Sequence, residues 1–319
     1  MLDLYQRAEF AAKANCHILL QGETGTGKDY LANYIHSKSL RSAGPLITIN
    51  CAAIPEQLFE SELFGYEAGA FTGAVSRKKG LLELASGGFV FLNEIALISL
   101  AAQGKLLSWL DDGRFFRLGG RQPVPVSANV ISACNCELFD LVEKGLFRKD
   151  LYYRLAAVVI RIPPLRSRSA EDKKELVLEI LLDLARSRGD ARLADIDSKA
   201  LSLLLQYDWP GNVRELKHVL KLAVALSGDK AIRSEDLELS QKPEMSLAEK
   251  GRGDCLCSLV AIEQNRNLKQ ALAAARDELV AKAVVQSKGN LKAASKLLGV
   301  SIDTLKYLRK MHGKGSHEQ

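Results

Sequence analysis

The stretch Cys16-His17-Ile18-Leu19-Leu20-Gln21-Gly22-Glu23-Thr24-Gly25-Thr26-Gly27-Lys28-Asp29 decides the fold. Its first five residues read as a short buried strand. Gly22 to Lys28 then follows G-x-x-x-x-G-K, the spacing of a phosphate-gripping loop set between a strand and a helix. Glycines let backbone N–H groups close around phosphate oxygens, and the following helix turns its positive end toward them. Lys28 neutralises the terminal phosphates. The candidate nucleotide-binding residues are Gly22, Glu23, Thr24, Gly25, Thr26, Gly27, Lys28 and Asp29. Asp29 stands where a generic loop of this kind carries Ser or Thr.

Outward from that loop, four more apolar runs alternate with helical stretches: Leu46–Ile49, Phe89–Leu92, Asn129–Ala133 and Val158–Ile162. Short apolar strands separated by helices predict an α/β domain with a mostly parallel, helix-covered sheet over 1–165. Pro163-Pro164 closes the last strand. A smaller helical domain is expected over 166–236. Residues 237–266, with Gln241-Lys242-Pro243 and Gly251-Arg252-Gly253, read as a linker. Helical periodicity resumes over 267–312, before a polar tail at 313–319.

A second polar strand end is Phe89-Val90-Phe91-Leu92-Asn93-Glu94. Phosphate-loop ATPases place an Asp there for Mg2+, followed by a Glu that polarises water. Here Asn93 offers a carbonyl oxygen without negative charge, which weakens the magnesium site formed by Asn93 and Glu94.

The bulk composition excludes other classes. Apolar residues make up 47% and charged residues 26% of 319, ordinary for a globular chain. No apolar run approaches the ~18 residues of a membrane span, and Met1-Leu2-Asp3-Leu4-Tyr5 lacks the features of a signal peptide. A cytoplasmic protein with no membrane partner is expected. The pairs Cys134/Cys136 and Cys255/Cys257 lack the spacing of common zinc sites, so reduced structural thiols are expected. Net charge is +6, yet residues 271–319 hold nine Lys or Arg against four Asp or Glu, a local net of +5. A basic terminal module on a nearly balanced body points to a polyanion, most simply DNA.

Gly69-Ala70-Phe71-Thr72-Gly73-Ala74, preceded by Glu62-Leu63-Phe64-Gly65-Tyr66-Glu67-Ala68, resembles the loop specific to sigma-54 activators of the NtrC type, which are AAA+ ATPases. Asn50-Cys51-Ala52-Ala53, Phe147–Leu155 and Trp209-Pro210-Gly211-Asn212-Val213-Arg214-Glu215-Leu216 are similar to further motifs of that family, and an acidic residue at Asp29 is its habit. The resemblance implies ATP and Mg2+ as cofactors, and sigma-54 and RNA polymerase as partners. It also implies a ring, hexameric in that family, while Asn93 motivates the alternative of a ring mixed with a paralogue. Asn50 resembles the switch that restrains the catalytic Glu94. Asn135 resembles the sensor after the fourth strand, where the family usually has Thr at the position of Cys134. Arg148 and Arg154 resemble fingers reaching a neighbour's γ-phosphate, and Arg214 a lid-domain sensor. The loop Gly69–Ala74 contacts sigma-54 in that family; its glycines disfavour a packed strand.

Gly289 to Leu305 resembles a Fis-type helix-turn-helix, with Asn290 and Ser301 as helix caps and Gly299 at the turn. The run Lys306-Tyr307-Leu308-Arg309 shifts the apolar position by one from the family's usual pattern. Asp303, Lys306, Tyr307 and Lys310 are the candidate contacts to double-stranded enhancer DNA. The ATPase pattern begins almost at Met1, with no receiver or sensory domain before it. Either the chain is a fragment, or control comes from abundance or from a regulatory protein in trans. The leading expectation is an ATP-dependent transcription activator. The alternative is a DNA-binding regulator with impaired hydrolysis, working with a paralogue. A chaperone or helicase loader is disfavoured because Gly69–Ala74 has no role there.

Overall fold

The structure, a computed structural model, describes residues 1–188, 195–228 and 230–239, together with positions 287, 290, 291 and 295. The chain divides into units Met1–Met245 and Ser246–Gln319. The linker expected beyond residue 239, the expected helix-turn-helix apart from those four positions, and Asp303, Lys306, Tyr307 and Lys310 lie outside the described residues.

The expected sheet is present. Strands β1 (Ile18–Gln21), β2 (Leu46–Asn50), β5 (Phe89–Asn93), β8 (Asn129–Cys134) and β9 (Val158–Arg161) pair in parallel in the order β2-β5-β8-β1-β9. Two residues expected in β1, Cys16 and His17, precede it, and Gln21 is added at its far end. Alternation along each strand divides the sheet into two faces. Ile18, Leu20, Phe89, Phe91, Ile131, Ala133 and Ile160 form one core with α1 (Leu2–Lys13) and α2 (Lys28–Lys38). Within α1, Leu4, Ala8, Ala11 and Ala12 recur at helical spacing and supply its buried stripe.

Beyond α2 come α3 (Glu56–Phe64), the two-residue strands β3 (Gly65–Tyr66) and β4 (Lys78–Lys79), and a single turn, α4 (Leu81–Leu84). After β5, α5 (Leu100–Asp112) begins where the Ser99 hydroxyl accepts the Ala102 amide and ends on Gly113 at φ 67°. The antiparallel strands β6 (Arg114–Phe116) and β7 (Pro123–Pro125) then lead to β8. Helices α6 (Leu138–Glu143) and α7 (Lys149–Leu155) follow, and α7 packs against α5 and β8. The hairpins β3/β4 and β6/β7 were not expected from the sequence.

Past Pro163-Pro164 the described chain is helical as expected: α8 (Ala170–Arg188), α9 (Ser198–Gln206) and α10 (Asn212–Ser227). Their core gathers Val177, Ile180, Leu181, Ala200, Leu204, Leu216, Leu220 and Ala223 around buried Trp209. The Trp209 indole N–H donates to Leu204 O at 2.8 Å, so its one polar atom is satisfied inside apolar surroundings. Among the described residues, no helix is long and apolar enough to cross a membrane.

Candidate functional site

The loop Gly22–Gly27 leaves the C-terminal end of β1 and enters α2 at Lys28. Gly25 and Gly27 adopt φ of 81° and 101°, a region that favours glycine. The helical region grips this loop from outside. The fully buried Asn212 donates through Nδ2 to the Glu23 carboxylate and to Thr24 O, each at 3.1 Å. Its Oδ1 accepts the Leu165 amide at 2.8 Å. The Val213 amide donates to Gly25 O at 2.9 Å, and Arg168 Nη2 donates to Thr26 O at 2.9 Å. Arg166 makes a two-pronged ion pair with Glu23, which holds that carboxyl below its usual range.

Three consecutive carbonyls, those of Thr24, Gly25 and Thr26, are thus engaged from outside. Trans peptide planes then send the N–H groups of Gly25 and Gly27 the opposite way. Amides presented and carbonyls withdrawn make an anion cradle. Lys28 completes it. Only 5% exposed, it folds its ammonium onto Gly22 O at 2.7 Å and Glu23 O at 3.2 Å. Burial lowers its pKa, against the opposing pull of Glu94.

The end of β5 faces the same place. Glu94 takes φ 57°, a left-handed conformation uncommon outside glycine and concentrated at functional sites. Asn93 Nδ2 donates to Asp29 Oδ1 at 3.1 Å, while Asn93 Oδ1 is buried with no hydrogen-bond partner among the described residues. That orphan oxygen, with the carboxylates of Asp29 and Glu94, is an all-oxygen donor set of the kind a hard divalent cation takes. Asn50 stands opposite Asn93 in the β2–β5 register, and its Oδ1 accepts the Ala52 amide at 3.1 Å. Asn135, exposed just past β8, lines a cleft with Gln21, Gly22 and Glu23. Arg214 lies over the loop: its Cβ is 3.2 Å from where a Cβ on Gly25 would stand.

Beside the cradle lies a cavity of about 170 Å3 bordered by Leu4 and Tyr5 of α1, Gly27, Tyr30, Ile162 and Ile180. The residues before β1 therefore form one wall next to the phosphate loop. Sequence reasoning also assigned no role to Asn212, Arg166 or Arg168. Asn212 lay inside a quoted motif, and its own type carried the signal: a short amide tolerates its φ of 53° and can both donate and accept.

The two remaining arginines point elsewhere. Arg154 donates to Leu110 O at 2.8 Å and pairs with Asp111 at 3.3 Å, with its side chain 46% exposed. Burial and then the charges of Arg154 and Arg41 push the His17 imidazole down to about 4. His17 precedes β1, whereas the phosphate loop leaves the other end of that strand. Arg154 thus sits at the opposite end of the sheet from its own loop. Arg148, the residue before α7, forms an exposed ion pair at 2.7 Å with Asp150 in the first turn of that helix.

Gly69–Ala74 is a loop, as expected, and it bonds to itself. Gly69 N–H donates to Ala74 O at 2.8 Å, Ala74 N–H to Phe71 O at 3.0 Å, and Ala70 N–H to Glu67 O at 3.2 Å. Phe71 packs edge-on against Tyr66 at 5.0 Å, yet remains 44% exposed. The loop's base is tied to the β6/β7 hairpin. Arg117, 8% exposed, clasps Glu83 with two bonds at 2.8 and 2.6 Å and Glu67 with one at 2.8 Å. Burial alone would raise the Glu83 carboxyl, but Arg117 and the Gly80 amide hold it below the usual range.

Comparison with known proteins agrees with this arrangement. Residues 1–161 match the sigma-54 interaction domain, and residues 166–252 match the AAA+ ATPase lid domain. The regulatory protein AtoC of Escherichia coli is 37% identical over 313 residues, covering 98% of this chain and 66% of AtoC. A Nif-specific regulatory protein of Azotobacter vinelandii is 43% identical over 275 residues, covering 83% of this chain and 52% of the relative. The chain thus spans between about half and two thirds of those relatives. The crystal structure of NtrX from Brucella abortus in complex with ATP superposes with a TM-score of 0.69 at 29% identity, over 99% of this chain and 68% of NtrX. An AAA+ core, its helical lid and the loop motif between α3 and β5 together place this chain in the sigma-54 interaction domain family.

Proposed function

We propose that this chain is an ATP-driven transcription activator that remodels closed complexes of sigma-54 RNA polymerase while held on upstream enhancer DNA. One observation carries the reading: a single domain joins a preorganised phosphate cradle to an exposed, self-bonded loop with Phe71 at its tip. The cradle amides and Lys28 bind the phosphates, and Glu94 orients the attacking water. Asn93 Oδ1, Asp29 and Glu94 would hold magnesium, which when bound neutralises charge on the phosphates. Asn50 and Asn135 report on the nucleotide from the ends of β2 and β8, and Arg214 does so from the lid.

Arg148 and Arg154 act on a neighbouring subunit's nucleotide, because Arg154 lies at the far end of the sheet from its own loop. Such a finger contributes roughly 10³–10⁵ in rate. It also makes turnover depend on ring assembly, with identical subunits or with a paralogue. The loop Gly69–Ala74 presses on sigma-54, and the basic module at 267–312 reads DNA through Asp303, Lys306, Tyr307 and Lys310. ATP turnover that rises steeply with protein concentration, together with open-complex formation by sigma-54 polymerase, is the expected result. ATP binding without open complexes on enhancer-bearing templates would overturn the reading.

A second reading, a DNA-binding regulator with impaired hydrolysis, is favoured by Asn93. Its amide is spent on Asp29, and the strand end contributes no charge. Measuring ATPase activity of the wild type beside Asn93→Asp separates the two. Normal wild-type turnover eliminates the impaired form; a gain with Asn93→Asp supports it.

A further inference from the structure

Two thiols flank the sensor residue Asn135. Cys134 is the last residue of β8 and is fully buried, while Cys136 is half-buried. The chain bends at Asn135 and Cys136, bringing Cys134 Sγ to 3.0 Å from Cys136 O. Cys136 opens onto a cleft of about 400 Å3 shared with Gln21, Gly22, Glu23, Asn135 and Arg161, so a small reagent can reach it. Both residues are wired to the junction of β1 and the phosphate loop. The Gly22 amide donates to Cys134 O at 3.3 Å, and Gln21 Nε2 donates to Cys136 O at 3.4 Å. Structural thiols in an inert core, the expectation from sequence, do not need this placement.

We propose that Cys134 and Cys136 form a thiol–disulfide site, oxidised by small hydroperoxides, that weakens nucleotide binding by reshaping the turn carrying Asn135. The Cys136 sulfur attacks the terminal oxygen of the hydroperoxide. An S–O bond forms, the O–O bond breaks, and the leaving alkoxide takes a proton to become the alcohol. The Cys134 sulfur then attacks the Cys136 sulfenic acid. The S–S bond forms, the S–O bond breaks, and hydroxide leaves as water with the Cys134 proton. Two thiols are oxidised and one hydroperoxide is reduced, giving one disulfide, one alcohol and one water.

The electrostatics agree with Cys136 as the attacking sulfur. Its neighbour Cys134 holds it below the ordinary thiol range, whereas the adjacent Cys136 sulfur and burial push Cys134 up. Cys51, also near Glu94, is an internal control: burial pushes it up to about 12, and it should stay reduced. Closing the bridge removes the bond from Cys134 Sγ to Cys136 O and pulls on the two contacts to Gln21 and Gly22, where the phosphate loop begins.

The inference rests on the nucleotide reading above but not on sigma-54. The test uses the full chain, reduced and then treated with hydrogen peroxide, read by peptide mass mapping and by binding of a fluorescent ATP analogue. Expected are the loss of two hydrogens from the peptide holding residues 134 and 136, and binding about tenfold weaker, the worth of one charge-assisted hydrogen bond. Reductant should restore both, and Cys136→Ser, at the more exposed position, should bind normally and ignore peroxide. A peptide that stays reduced, a disulfide that leaves binding unchanged, or a Cys136→Ser protein equally sensitive to peroxide would overturn the proposal. A reduced wild type that binds no nucleotide would sink the nucleotide reading and this one with it.

Discussion

The domain carries two glycine-rich loops of similar length, and their surroundings differ in kind. Gly22–Gly27 is clamped: a Cβ on Gly22 would stand 2.9 Å from Ile162 O, and one on Gly25 would stand 2.4 Å from Gly211 O. Its carbonyls are held by Asn212, Val213 and Arg168. Gly69–Ala74 is clamped only below its tip. Side chains on Gly69 or Gly73 would meet nothing within 4 Å among the described residues, and its internal bonds run mainly between its own backbone groups. Glycine serves close approach at Gly22 and Gly25 as well as backbone turning at Gly25 and Gly27 in the first loop, but backbone turning alone at Gly69 and Gly73 in the second. A loop locked from outside is built to receive a small anion with little reorganisation. A loop anchored only at its base leaves its apolar tip for another macromolecule.

The contrast can be broken at the base of the second loop. Arg117→Ala strands Glu83, itself only 10% exposed, and releases Glu67. Removing one partner from such a buried pair costs about 3–5 kcal/mol. Thermal or denaturant unfolding should show that loss, and nucleotide affinity of the folded fraction should be retained. The next largest effect belongs to the first loop. Gly25→Ala forces a side chain into Gly211 O and should weaken binding of a fluorescent ATP analogue roughly a hundredfold, equivalent to losing about two good hydrogen bonds.

Acidification probes the far end of β1. His17 is held neutral, with its Nδ1 accepting the Val130 amide at 3.1 Å and its pKa pushed down to about 4. Below the unfolded value of roughly 6.5, the unfolded chain binds a proton that the native chain refuses, so stability falls as pH drops toward 4. The full loss approaches about 3 kcal/mol by linkage. A pH series of denaturant midpoints should show that slope, and His17→Gln should flatten it.

The smallest expected effect is at Gly73. Gly73→Ala meets open space, so only its φ of 104° opposes the side chain, at about 1–2 kcal/mol and with no change in nucleotide affinity. If Gly73→Ala impaired nucleotide binding as much as Gly25→Ala, the distinction between the two loops would fail.

Much of this was legible in the sequence, and the reason lies in periodicity. Five apolar runs became five parallel strands, because a doubly covered sheet needs continuous apolar residues. Lys28, Asn93, Glu94 and Asn135 come from separate stretches, yet each follows or ends a strand, so the sheet brings them to one edge. The hairpins β3/β4 and β6/β7 escaped because strands of two or three residues carry no detectable alternation. The clasp of Arg117 on Glu67 and Glu83 escaped with them, since it spans up to 50 residues of sequence. The partners of Asn212 went unread for another reason: its three side-chain bonds reach residues 165, 23 and 24, and no local pattern encodes those distances in sequence. The spacing of Leu4, Ala8, Ala11 and Ala12 would have given α1.

Nucleotide held by the first loop is expected to govern what the second loop touches. A photo-crosslinker replacing Phe71 in the full chain tests it directly, with purified sigma-54 present and the nucleotide varied. Crosslinks to sigma-54 that appear with a non-hydrolysable ATP analogue or a transition-state mimic, and vanish without nucleotide or with Lys28→Ala, are the expected result. Crosslinking that is absent in every nucleotide state, or the same in all of them, would rule out that coupling between the two loops.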